Sequence, residues 1–102
     1  MDNNQTAMTL LKADLGYYDS AIPQSLETYL SSLLTAAEAR IQRDGISLIP
    51  GNVNDDLFLA SYAAWLYRKR REGGAKPPMI QAELRDRQVA EALKAAETED
   101  AL

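Results

Sequence analysis

The 102-residue chain contains no cysteine and no histidine. Their absence removes thiol nucleophiles, disulfides, imidazole bases and the commonest ligands for zinc, copper and haem. Positive charge is also short, with 11 Lys and Arg against 15 Asp and Glu and a net charge of −4. That is the wrong sign for a protein whose whole surface grips phosphate, so generic nucleic-acid binding is set aside. No cationic stretch opens the chain as a signal peptide would require, and no long apolar region follows. The longest uncharged apolar-rich run, Leu57 to Tyr67, is about half of a membrane span and reads as a buried helix. The expectation is a cytoplasmic origin with no secretion by that route and no membrane segment.

What remains is ordinary globular composition, 46% hydrophobic and 25% charged, at a length that suits one domain rather than two of roughly 100 residues each. A chain this size buries roughly two-thirds of its unfolded surface, which makes a workable but thin core. The reading is one helical domain over residues 1–96 and an acidic, disordered tail over 97–102 carrying Glu97, Glu99 and Asp100.

Periodicity places the helices. Thr6 to Leu15 reads as a short one with Thr6 or Thr9 as cap, contributing Met8, Leu11 and Leu15 to one side. Pro23 suits a first helical residue because its missing N–H needs no partner there. From it a long helix runs to about Asp44, with Leu26, Leu30, Leu33, Ala37 and Ile41 on one face and Gly45 as its stop. The connection from Ile46 to Val53 holds Ile46, Leu48 and Ile49 and reads as a loop lying against the core. Asn54 is the expected cap of the next helix, with Asp55 and Asp56 in a first turn that favours carboxylates.

That third helix, to about Glu72, is apolar nearly all round, leaving Ser61 almost alone. Such a helix must be covered all round, and it has more apolar circumference than three short helices comfortably cover, so any face its own chain misses needs another subunit. Gly73 and Gly74 break it. Pro77 and Pro78 open a last helix with a thinner stripe of Met79, Ile80, Leu84, Val89 and Leu93. There is no useful strand-like alternation, repeat or low-complexity tract. The expected fold is all-α, a small bundle of about four helices: one short N-terminal, two long antiparallel, one C-terminal.

Little catalytic chemistry is left. Asp55 and Asp56 are adjacent, but neighbours on a helix diverge and do not converge on one proton or metal, so capping is the better account. The alternation Asn52, Asn54, Asp56 is similar to the opening of a calcium loop. It fails because Leu57 stands where glycine is needed and Ala63 where glutamate is needed. The two glycines lack any phosphate-cradling motif. No catalytic, cofactor-binding or metal-ligating residue is assigned, and the chain reads as a non-enzyme.

Two clusters stand as partner-binding candidates. Arg68, Lys69, Arg70 and Arg71 end the third helix, where cations meet the negative end of the dipole. With Lys76 and against Glu72 they hold +4, so the rest of the chain carries −8. Such separation makes a patch that an acidic protein surface or nucleic acid could read. Tyr62 and Trp65 share a face and read as core. Tyr67 points elsewhere and reads as an interface residue.

Three stretches in order resemble a known family: MTLLKADLG, the amphipathic LETYLSSLLTAAEARIQRDGI, and LFLASYAAWLYRKRREGGAKPPMIQAEL, an apolar aromatic helix ending in basic residues, a Gly turn and Pro before a last helix. Together they cover residues 8 to 84 and resemble the small head-tail connector (adaptor) proteins of tailed bacteriophages and prophages. The segment from Gln81 to Ala96 is more charged than that pattern, which leaves open whether the last helix packs on its own subunit or on a neighbour.

The resemblance implies a helical, non-enzymatic virion protein, without cofactor, that assembles roughly twelve-fold in a ring beneath the portal protein. The ring extends the DNA channel, lets DNA pass without specific binding and presents a surface to the next connector, stopper or tail protein. Its place is the head-tail interface, and the host cytoplasm before assembly. An acidic channel wall would repel the DNA backbone. The rival reading is a small helix-turn-helix regulator using Gln81, Arg85 and Gln88. Against it stand Glu83, Asp86 and Glu91 on the same segment, and a Gly73–Pro77 turn longer than that motif uses.

Overall fold

The computed structural model describes residues 5–17, 22–49, 51–72 and 75–100, without side chains at 70–72 and 97–100. Four helices form an all-α bundle: α1 (Gln5–Asp14), α2 (Gln24–Arg43), α3 (Val53–Glu72) and α4 (Pro78–Asp100). No strand occurs among the described residues. The expected element order and class stand, while several boundaries and faces move. The glycine pair at 73 and 74 lies outside the described residues.

α3 is the centre of the bundle, with α1 and α2 packed along it and α4 touching it less extensively. Ala7 and Leu11 of α1 meet it one turn apart, and Met8 and Leu15 flank them half-buried. On α2 the fully covered residues are Leu30, Leu34, Ala37 and Ile41. Leu33 and Leu26, expected at the centre of that face, lie half-buried at its edge. Adjacent leucines at 33 and 34 fit the same helical period almost equally well. The position of α3 selects Leu34.

Three caps differ from expectation. α1 begins at Gln5, and Thr9 lies inside it with its hydroxyl donating to the Gln5 carbonyl at 3.1 Å. Pro23 stands one residue ahead of α2, with extended ψ of 147° and its carbonyl accepting the first helical bond from the Glu27 N–H at 3.0 Å. The cap of α3 is Asn52, not Asn54: its side-chain oxygen accepts from the Asp55 N–H at 3.1 Å, the geometry of an N-cap three residues ahead. Gly45, at φ of 86°, ends α2 as expected.

The expectation that α3 has more apolar surface than its own chain covers is overturned. Between Leu57 and Tyr67 only Leu57 and Ser61 are exposed. They lie one turn apart on a single narrow stripe. α1, α2, the inward-turned Ile46 and the start of α4 cover the rest. The uncovered apolar surface is shared between Ile49, Val53 and Leu57 around the start of α3, where Ile49 turns outward instead of lying against the core as expected, and α4. Ile80 and Leu84 are buried, but Met79, Val89 and Leu93 are 84%, 54% and 60% exposed. The helix continues past Ala96, where a tail was expected, to Asp100. Its outer half leaves the bundle, giving a molecule of 52 × 34 × 17 Å. No helix among the described residues is long and apolar enough to cross a membrane.

Candidate interaction surface

Phe58, Tyr62 and Trp65 stand at i, i+4 and i+7 on α3, so their rings stack along one face of the helix. Phe58 and Tyr62 meet edge to face with centroids 6.3 Å apart, and Tyr62 and Trp65 at 5.5 Å, spacings at which aromatic quadrupoles attract. Each ring carries a cation. Arg87 of α4 lies 4.7 Å from the Phe58 centroid, Lys76 of the α3–α4 connection 5.8 Å from Tyr62, and Lys69 of α3 itself 5.0 Å from Trp65. Such contacts are worth about 0.5–1 kcal/mol each where exposed, more where desolvated. Over Tyr62 and Trp65 the row thereby carries positive charge unpaired among the described residues, whereas over Phe58 the charge of Arg87 is met by Asp55 and Glu83.

The five candidate partner-binding residues do not act as one block. Tyr67 turns inward: its hydroxyl lies 3.3 Å from that of Tyr17, and its ring is 6.2 Å from Tyr29. Half-buried among its own chain's tyrosines, it joins α3 to α2 and the segment after α1. Arg68 reaches back to the end of α1, donating to the Asp14 carboxylate at 2.7 Å and the Asp14 carbonyl at 3.1 Å. A guanidinium there satisfies a helix C-terminus and its dipole together. Lys69 goes the other way, over Trp65. The side chains of Arg70 and Arg71 lie outside the described residues.

Two residues overlooked in the sequence complete a different cluster. Arg40 and Arg43, one turn apart at the end of α2, line a cleft of about 290 Å³ with Lys69, Lys76, Asp44, Tyr62 and Trp65. Four cations and one carboxylate face this space. None of the four has an ion-pair partner among the described residues. The i, i+3 spacing of Arg40 and Arg43 was visible as a basic helix end, but nothing local placed it beside Lys69.

The cleft's far wall is held by α4. Gln81 donates to the Lys76 carbonyl at 2.7 Å and Gln88 to the Asp44 carbonyl at 3.2 Å. Two of the three side chains a helix-turn-helix regulator would present to bases are thus bonded to their own backbone.

On the other side of α4, Arg87 donates to Asp55 at 2.6 Å and to Glu83 at 2.7 Å. Asp55 in turn accepts the Ile49 N–H at 2.8 Å. Burial works against the charge on Arg87, but the hydrogen bonds and charges of Asp55 and Glu83 outweigh it and raise its pKa above the ordinary guanidinium value. Asp55 therefore joins the 46–53 loop, α3 and α4, a role beyond the first-turn carboxylate expected of it. Beside this clamp a groove of about 590 Å³ is lined by Leu57, Phe58, Met79 and Ile80 as well as the charged residues.

No protein-family model, curated protein or solved structure matches this chain. The functional reading rests on the residues themselves and on the resemblance they carry.

Proposed function

We propose that this chain is a structural virion protein, a portal-proximal head-tail connector of a tailed bacteriophage or prophage. It assembles with copies of itself in a ring of roughly twelve, between the portal protein and the next connector, stopper or tail protein. The observation that carries the reading is the outer half of α4, a well-formed helix whose Val89 and Leu93 a single chain leaves bare. An exposed helix with an apolar stripe is what a subunit offers to a neighbour. The all-helical bundle and the absence of cysteine and histidine support a structural role over catalysis. The net charge of −4 supports a channel that DNA passes without adhering.

On this reading the protein is made in the host cytoplasm and ends at the head-tail interface, with no cofactor and no membrane partner. The test is complementation. Phage lacking the gene should accumulate filled heads without tails, and the protein supplied in trans should restore joining and be found on the portal by electron microscopy. Tailed infectious particles that form without the protein overturn the reading. Tight, steeply salt-dependent duplex binding by the purified protein would give the regulator precedence.

A further inference from the structure

We propose that the Arg40–Arg43–Lys69–Lys76 cleft is the receptor for the acidic outer end of α4 from a second copy of this chain. The proposal deepens the ring reading and rests on it, because a contact between two different patches of identical subunits repeats around a ring.

The cleft's charge sets the chemistry of its occupant. Two guanidiniums and two ammoniums with no carboxylate partner among the described residues face a space that holds only Asp44 in opposition. Carboxylates are the natural complement, since guanidinium groups pair with them in charge-assisted, often bidentate contacts. The chain's own densest supply at a helix end is Glu97, Glu99 and Asp100, which close α4.

Its own α4 cannot deliver them. Gln81 and Gln88 fix the inner part of α4 to the rim of the same cleft, and Arg87 pins it to Asp55. Beyond Gln88, which bonds the Asp44 rim, the helix rises about 1.5 Å per residue, so Glu97 lies about 14 Å past its own cleft, out of side-chain reach. The acidic end therefore meets a cleft only on another molecule. The same approach would bring Val89 and Leu93, exposed on the outgoing helix, against the neighbour's surface. Charge and apolar burial would then act together.

Nucleic acid fits the cleft less well. Tyr62 and Trp65 are 2% and 9% exposed and already lie beneath Lys76 and Lys69, so no free aromatic face is offered for a base to stack on. Bound nucleic acid would also leave Val89 and Leu93 bare.

The test is a charge swap read by sedimentation velocity over a range of concentration and salt. Wild type should self-associate, less so as salt rises. Arg40→Glu with Arg43→Glu, or Glu97→Lys with Glu99→Lys, should each weaken association by about tenfold or more, while circular dichroism stays helical. The chain carrying all four changes should regain association. If the Arg-to-Glu pair unfolds, Arg40→Gln with Arg43→Gln gives the same reading from loss of charge alone.

Association that neither pair weakens overturns the proposal, as does a wild type that stays monomeric at every concentration. Duplex DNA retention abolished by the Arg40/Arg43 pair also overturns it and assigns the cleft to nucleic acid. Particle assays separate this from the connector reading. Reversed variants that enter particles at the wild-type level overturn the cleft contact and leave the connector standing, whereas absence of wild type from particles overturns the connector.

Discussion

The α1–α3 unit and the outer half of α4 are both helical, yet they place their apolar residues oppositely. In the first, Leu11, Leu30, Leu34, Ile41 and Tyr62 are all but fully covered. In the second, Val89 and Leu93 share one face and stand in the open. Local preference explains why α4 nonetheless persists, for Ala90, Ala92, Leu93, Lys94, Ala95 and Ala96 are strong helix formers. Helicity and packing are thus separate achievements in this chain. The apolar stripe of the first region holds the monomer, and that of the second stays largely exposed in the single chain.

The contrast breaks most sharply at Trp65. Trp65→Ala removes a buried ring from a thin core and should lower stability by about 3–5 kcal/mol, a large share of what a small domain has. Tyr67→Ala should cost distinctly less, because that ring is only half-buried. Thermal melts compare them, at about 4–8 °C per kcal/mol for a domain of this size. Equal shifts would erase the distinction between the inner face of α3 and its margin.

Next comes the joint between the two regions. Arg87→Met keeps much of the side chain's bulk over Phe58 but leaves Asp55 without its cation, and should cost about 2 kcal/mol. Amide exchange should quicken first in α4 and in the Ile49 N–H that Asp55 holds. Uniform quickening across α1 and α2 would mean that α4 is part of one cooperative core. Arg68→Ala should cost no more than about 1 kcal/mol, since that pair with Asp14 is half in solvent.

The smallest stability effect sharpens the comparison most. Val89→Ser with Leu93→Ser should cost the monomer no more than about 1 kcal/mol, because both side chains are more than half exposed in one chain and serine loses only a few tenths in helix propensity. Self-association should nevertheless weaken. A large fall in melting temperature would place these residues in a core that the monomer already has.

Features written within a few residues were legible: Gly45 as a stop, Pro78 as an opening residue, the carboxylates in the first turn of α3, the core role of Tyr62 and Trp65. Choices between near neighbours were not, as with Leu33 against Leu34 and Asn52 against Asn54. Helical periodicity and capping chemistry allow either member, and tertiary position selects one. The candidate site was least legible. Its basic run reads as one patch along the chain, but Arg68 and Lys69, adjacent on α3, point to different neighbours. Arg40 and Arg43, which line the cleft with Lys69, belong to the preceding helix α2. Nor does Arg87 announce Asp55, because an ion pair joining α3 to α4 has no local periodicity to reveal it.

The chain's single tryptophan lines the cationic cleft with the Lys69 ammonium 5.0 Å from its ring. An indole's fluorescence responds to the electric field across it, and here the nearest cation is a lysine that an arriving carboxylate would engage. Occupation of the cleft therefore carries its own optical signal, a shift in emission wavelength, obtained from the unlabelled protein. The emission registers the neighbour's arrival while the helix content stays constant.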